Sequence, residues 1–268
     1  MRKLIHIFSL TLIIFAFSVG CSNKDESVLN DDDTQENQEA TDEGNRDAST
    51  EDKSVTSEDE LIKQLIDIKN DSSITVLVNK FNNLSESYIP DDLVTVSVPT
   101  ILENPEVNQL REEASQALSD MFAAAEQEDL FLFARSGYRS YNTQIHLFNS
   151  YAERHGEEAA NQYSARPGYS EHQTGLVMDV TSESVQFELT EHFGETPEGK
   201  WIVDHAYKYG FIIRYPKGKD DITGYIYEPW HLRYLGKEVA ESVHHSNLTY
   251  EEFLLDREII NDLQFEKE

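Results

Sequence analysis

The stretch Ser170-Glu171-His172-Gln173-Thr174-Gly175-Leu176-Val177-Met178-Asp179 decides how this chain is read. A histidine is followed seven positions later by an aspartate, and Gly175 marks the bend between two short runs that read as extended chain. A turn at Gly175 and Leu176 would fold residues 169–172 back against 177–181, bringing the His172 and Asp179 side chains together on one face. Imidazole plus carboxylate is two thirds of a mononuclear zinc site. The segment Glu228-Pro229-Trp230-His231 can supply the remainder, with His231 as third ligand and Glu228 as a base. Zinc held by two imidazoles and one carboxylate keeps a coordination position open for water and retains positive charge to acidify it. Glu228, three residues before His231, can take a proton from that water and later hand it to a leaving amine. Pro229 fixes one φ and interrupts a regular strand, so Glu228 and His231 need not point to opposite faces.

Around these two motifs the chain alternates between helical and extended patterns. Apolar residues at Leu110, Ala114, Ala117, Leu118, Met121, Phe122 and Ala125 form a helical stripe within Asn108–Glu128. Leu130–Arg135 reads as a strand, Thr143–Gly156 and Glu157–Tyr163 as helices with Gly156 as a stop. Beyond Asp179, Lys200–Tyr209 reads as a helix ended by Gly210, Phe211–Tyr215 as a strand, Pro216–Gly224 as a loop and Tyr225–His231 as another strand. A helix beginning near Gly236 and further acidic, partly apolar helices reach Glu268. Short antiparallel strands segregated from helices define the α+β class, a small antiparallel sheet flanked by helices. The folded domain is expected over residues 61–268, opening with a short amphipathic helix that carries Leu61, Leu65, Ile66 and Ile68.

Charge and cysteine usage narrow the function. The 268 residues carry a net charge of −29, which disfavours phosphate backbones and hence nucleic acid, since these need clustered Lys and Arg. Much of the excess is local: residues 22–60 hold 15 acids against 3 bases and almost no large apolar side chain, the signature of a disordered acidic linker. Asp31-Asp32-Asp33 lacks the loop spacing of an EF-hand and reads as part of that solvated tract. The single cysteine, Cys21, permits no intrachain disulfide and no thiolate metal cluster, so a metal site must use His, Asp and Glu. Met1-Arg2-Lys3 followed by the apolar run Leu4–Val19 reads as a secretory signal over residues 1–21. Gly20-Cys21 at its end resembles the lipobox of bacterial lipoproteins, with Ser18 where an aliphatic residue is usual. That resemblance implies lipidation of Cys21 and a membrane anchor on the outer face of the cell; ordinary signal cleavage is the alternative.

Ser-x-His-x-x-Gly-x-x-x-Asp followed about fifty residues later by Glu-Pro-Trp-His closely resembles the zinc D,D-carboxypeptidases of the VanY type. These belong to the wider group that includes lysostaphin-type peptidases and the hedgehog signalling domain. The resemblance spans roughly residues 75–239. It includes Ser136-Gly137-Tyr138-Arg139-Ser140, Ala165-Arg166-Pro167-Gly168-Tyr169-Ser170-Glu171-His172, Tyr209–Pro216 and Glu228–Tyr234. Val177-Met178 departs from the Ala-Met or Ala-Val of many relatives, which alters packing bulk but no ligand. The resemblance implies that His172, Asp179 and His231 bind one Zn²⁺, that Glu228 is the general base and that Arg139 faces the scissile carbonyl. Ser170 and Gln144 match positions that in relatives help hold the terminal D-amino acid. Tyr169 and Trp230 are candidate pocket walls, with a core role as the alternative. Arg166, Arg214 and Arg233 are further candidates for a substrate carboxylate.

The implied activity is removal of the terminal D-alanine from peptidoglycan stem peptides by an exported, monomeric enzyme. Within that chemistry, cleavage between D-Ala and D-Ala in pentapeptides and cleavage after an L-centre in tetrapeptides are both open, and cutting of cross-bridges is a weaker alternative. The rival from another class is a non-catalytic zinc module that binds cell-wall peptide or a protein. A complete ligand set with a base three residues from one ligand argues for the enzyme.

Overall fold

The computed structural model describes residues 52–263. The described chain opens with α1 (Asp52–Leu65), a two-stranded ribbon of β1 (Leu93–Thr95) and β2 (Gln109–Arg111), and α2 (Glu112–Glu126). After β3 (Phe133–Ser136) come α3 (Tyr141–His155), α4 (Glu157–Tyr163) and β4 (Val177–Thr181). Next follow α5 (Pro197–His205), β5 (Phe211–Tyr215), the single turn α6 (Asp220–Thr223), β6 (Glu228–Tyr234), α7 (Lys237–Ser246) and α8 (Tyr250–Asp256). Four strands form one antiparallel sheet in the order β3-β4-β6-β5, the expected α+β class.

Strand periodicity assigns the two faces of that sheet, because successive side chains alternate. Ala134, Met178, Val180, Phe211, Leu232 and Tyr234 join Leu110, Leu118, Met121 and Phe122 from β2 and α2 in the principal core. The intervening residues Asp179, His231, Arg233 and Arg214 belong to the opposite face, where every one of them is still buried. A second core, built from Ile62, Leu77, Ile212, Leu235, Val239, Val243, Tyr250, Phe253 and Leu254, ties α1, α7 and α8 to the sheet. A polar face is thus enclosed between two apolar cores.

Register irregularities complete the arrangement. Between β5 and β6 the pairing passes from Ile213↔Leu232 to Tyr215↔Glu228, so β6 carries two extra residues around Pro229. On its other side β6 stays regular against β4, with Asp179 opposite His231. Proline cannot donate to the ladder, and the disruption turns Glu228 onto the side of His231, as the sequence suggests.

Several expectations are revised. Residues 52–60, expected to belong to the acidic linker, are helical, since α1 begins at Asp52; the rest of that segment lies outside the described residues. Among the described side chains of α1, Ile62 makes the apolar contact, 4% exposed in the second core, whereas Leu61 and Leu65 are exposed. Ile66 and Ile68 lie past the helix end and pack on the same core. Residues 216–224 contain the helical turn α6, and the strand expected over Tyr225–His231 runs instead from Glu228 to Tyr234. Cys21 and the proposed signal lie outside the described residues.

The hairpin expected around Gly175 does not form. Residues 171–174 make a 3-10 turn, and β4 pairs with β3 on one edge and β6 on the other. With both edges occupied, no ladder position remains for residues 169–172. Gly175 ends the turn in the left-handed region at φ +68°, and an added Cβ would lie 2.8 Å from Leu93 Cδ2. Gly175→Ala should therefore cost about 1–3 kcal/mol, read as a lowered urea midpoint at unchanged slope. An unaltered midpoint would contradict this assignment of the turn.

Candidate active site

His172, Asp179 and His231 converge from three places in the fold: the 3-10 turn, the middle of β4 and the middle of β6. One ligand atom from each lies within 4.8 Å of the others. His172 Nε2 is 3.5 Å from Asp179 Oδ2, and His231 Nδ1 is 3.2 Å from Asp179 Oδ1. The two imidazoles meet edge to face with centroids 5.1 Å apart. Behind them the other ring nitrogens are anchored: His172 Nδ1 lies 2.7 Å from the Gly137 carbonyl, and His231 Nε2 lies 3.3 Å from Glu171 Oε2. Anchoring of this kind fixes ring orientation and tautomer in metal sites.

Electrostatics and polar satisfaction both fit a cation. Asp179 Oδ1, despite its proximity to His231, is a buried oxygen with no aligned hydrogen-bond partner, a costly state unless something else satisfies it. Burial, with Arg139 next, pushes the His172 imidazole down to about 3, so it is neutral as a ligand must be. For His231 burial acts in the same downward sense, but the flanking carboxylates of Asp179 and Glu171 outweigh it and raise the group to about 9. Two imidazoles and a carboxylate form a donor set suited to zinc.

Glu228 lies beside this cluster, with Oε2 3.5 Å from His231 Nδ1. Burial, reinforced by the charge of Asp179, raises its carboxyl to about 7 against the opposing pull of His231, which is the range for a general base. Arg139 follows β3 and is fixed by three contacts. Nη1 donates to Gln144 Oε1 at 2.8 Å, Nη2 to Ser136 Oγ at 3.2 Å, and its backbone N–H to the His172 carbonyl. Two of its five side-chain N–H groups are used in this way.

A cleft of about 340 Å³ opens onto these groups; Arg139, His172, Asp179, Glu228 and His231 line it, together with Ser170 and Trp230. The remaining expected contacts sit elsewhere. Gln144 is 1% exposed and behind the wall, where its amide donates to Ala165 O at 2.6 Å and to Ser164 Oγ. It holds Arg139 in place and does not line the cleft. Tyr169 packs against Ala165, Tyr215 and Tyr225 behind the cleft. Arg214 and Arg233 are wholly buried and paired with acids, while Arg166 pairs with Glu157 on the surface. His205 bonds to the Trp201 carbonyl, and His244 stacks on Tyr207, so these two histidines have local partners away from the cleft.

Sequence reasoning missed Glu171. Its side chain is wholly buried. Burial would raise its pKa, but Arg214 and Arg233 outweigh that and hold it well below the usual carboxylate range. The signal was present as arginines set in the apolar strands Phe211–Tyr215 and Glu228–Tyr234, because a buried guanidinium needs an acid nearby.

Residues 107–237 match the family profile VanY, D-alanyl-D-alanine carboxypeptidase. The protein YodJ of Bacillus subtilis (strain 168) is 51% identical over 187 residues, covering 69% of this chain and 68% of that one. A D-alanyl-D-alanine carboxypeptidase of Enterococcus faecium is 37% identical over 146 residues, 54% of this chain, though the match spans only 44% of that relative. Among solved structures, the LdcB LD-carboxypeptidase superposes with a TM-score of 0.67 at 50% identity, covering 69% of this chain and 87% of that one. The vancomycin resistance D,D-pentapeptidase VanY in complex with Zn(II) superposes with a TM-score of 0.55 at 30% identity, covering 69% and 99%. On these matches, the chain belongs to the VanY family of D-alanyl-D-alanine carboxypeptidases.

Proposed function

We infer that the chain is a zinc carboxypeptidase that removes the terminal D-alanine from peptidoglycan stem peptides. The observation that carries this reading is the convergence of His172, Asp179 and His231 with Glu228 and Arg139 on one cleft. Zinc bound by the three ligands supplies a Lewis acid for the scissile carbonyl and lowers the pKa of a water. Glu228 accepts the proton of the attacking water and returns it to the amine nitrogen as the C–N bond breaks. Arg139, fixed by Gln144 and Ser136, directs its guanidinium at the carbonyl oxygen as negative charge develops there. Ser170 and Trp230 line the same cleft, which supports a role for both in contacting the terminal D-amino acid. A pure binding module would have no use for a base held in this position.

A second reading concerns the penultimate residue. The 50% identity to an LD-carboxypeptidase, against 30% to a D,D-pentapeptidase, favours cleavage after an L-centre in tetrapeptide stems. Incubation with tetrapeptide and pentapeptide muropeptides, followed by mass measurement, separates the two: each predicts loss of one alanine, from a different substrate. Loss of a larger fragment, or of nothing from either, would contradict both.

Glu228→Ala should retain zinc and lose about 10²–10⁴-fold in turnover of the preferred muropeptide. In the parent protein turnover should fall as pH drops through the Glu228 pKa, which a bound cation draws below its metal-free position of about 7. Undiminished hydrolysis by the metal-loaded variant would remove Glu228 from the mechanism.

The N-terminal motif supports a location of this activity outside the cell. Export followed by lipidation of Cys21 would tether the domain to the membrane surface, with the acidic segment as a spacer toward the wall. Cys21→Ser should shift the full chain from the membrane fraction to the medium. Membrane association that survives the substitution would argue against a lipid anchor on this residue.

A further inference from the structure

We propose that Glu171 sets the tautomer of His231 and thereby decides which of its nitrogens is offered to the metal. Glu171 would be a positioning residue, and the proposal rests on the reading of His231 as a ligand. The two oxygens of the Glu171 carboxylate have different partners. Oε1 accepts from Arg214 Nε at 2.8 Å and from Arg233 Nη1 at 2.7 Å, whereas Oε2 faces His231 Nε2 at 3.3 Å.

Neither guanidinium can easily release its oxygen. The terminal nitrogens of Arg214 are bound by Glu251 of α8, with Nη1 at 2.7 Å from Oε2. The other donors of Arg233 are spent on the carbonyls of Tyr234, Ile74 and Val76. Glu251 is steadied in turn by Asn79, and α8 is closed by a capping box between Thr249 and Glu252. Glu251 lies beyond the segment matched by the family profile, which ends at residue 237.

An ionised carboxylate can only accept. Held so that Oε2 meets His231 Nε2, Glu171 requires the proton to sit on that nitrogen. When the ring gives up its second proton to serve as a ligand, it keeps the one on Nε2 and bares Nδ1, the atom that faces Asp179 and Glu228. His172 is treated in the opposite sense, since the Gly137 carbonyl accepts a hydrogen bond from Nδ1–H and so leaves Nε2 bare toward Asp179. Each histidine therefore presents a different nitrogen, chosen by the acceptor-only oxygen behind it.

The substitution Glu171→Gln tests this because the clamp fixes the amide orientation. Two guanidiniums converge on the Oε1 position, so the amide oxygen must stay there and the NH₂ must face His231 Nε2. That nitrogen then has to accept, and the ring proton moves to Nδ1, where it blocks the metal-facing lone pair. Zinc competition against a chromophoric chelator at neutral pH should show about 10–100-fold weaker binding than the parent protein, with far-UV circular dichroism verifying the fold. Equal affinity in a folded variant would overturn the proposal. Nitrogen-15 histidine NMR of the zinc-loaded parent protein decides the matter even if the variant does not fold. The expected pattern is His231 coordinated through Nδ1 with its proton on Nε2, and His172 coordinated through Nε2. Coordination of His231 through Nε2 would overturn the assignment while leaving the zinc reading intact. A parent protein that takes up no zinc would defeat both.

Discussion

The pairing of β4 with β6, which sets Asp179 opposite His231, is the constraint on which the site depends. Cross-strand neighbours in an antiparallel sheet are held close by the ladder itself, so two of the three residues that could hold a metal are fixed relative to each other by the fold alone. Everything else is brought to that pair. Gly175 turns the preceding segment so that His172 reaches Asp179, and Pro229 disrupts β6 so that Glu228 stands beside His231. A one-residue slip of β6 would place Leu232 where His231 belongs and expose a core residue to the cleft.

Enclosing such a pair between two apolar cores has an electrostatic cost, met by a balanced buried network. Glu171 and Glu251 are matched by Arg214 and Arg233, with every guanidinium nitrogen accounted for by an oxygen. Buried ion pairs of this kind often contribute little net stability, yet removing one partner leaves an expensive unpaired charge. Their value here lies in geometry: they prevent Glu171 from rotating and join the C-terminal helix to a metal-facing histidine. Gln144 serves Arg139 in a comparable way, which is why an amide matched to a substrate contact is found behind the wall.

What was legible in the sequence follows from the range of the interactions involved. The helical stripe of α2, the Gly156 stop and strand β5 depend on local periodicity and turn chemistry, and they appear where expected. The residues that meet at the cleft, His172, Asp179, His231 and Glu228, could be singled out because each is carried by a compact motif whose residue types admit few other uses. The hairpin around Gly175 failed because a local turn signal cannot report that both edges of β4 are already taken. Glu171 was overlooked for a similar reason: its partners are contributed by β5, β6 and, through Arg214, α8, and only the fold assembles them. The early start of α1 reflects docking of Ile62 on α7 and α8, a tertiary effect that outweighs the acidic composition around it.

The central claim is that this cleft is a zinc site that hydrolyses a terminal peptide bond. Its most direct test is to strip the protein with a chelator, verify by circular dichroism that it stays folded, and measure D-alanine release from stem peptides as zinc is added back. The account predicts no release from the stripped protein and full recovery at one equivalent of zinc per chain. Release by the folded, metal-free protein, or recovery that requires a second equivalent, would contradict it.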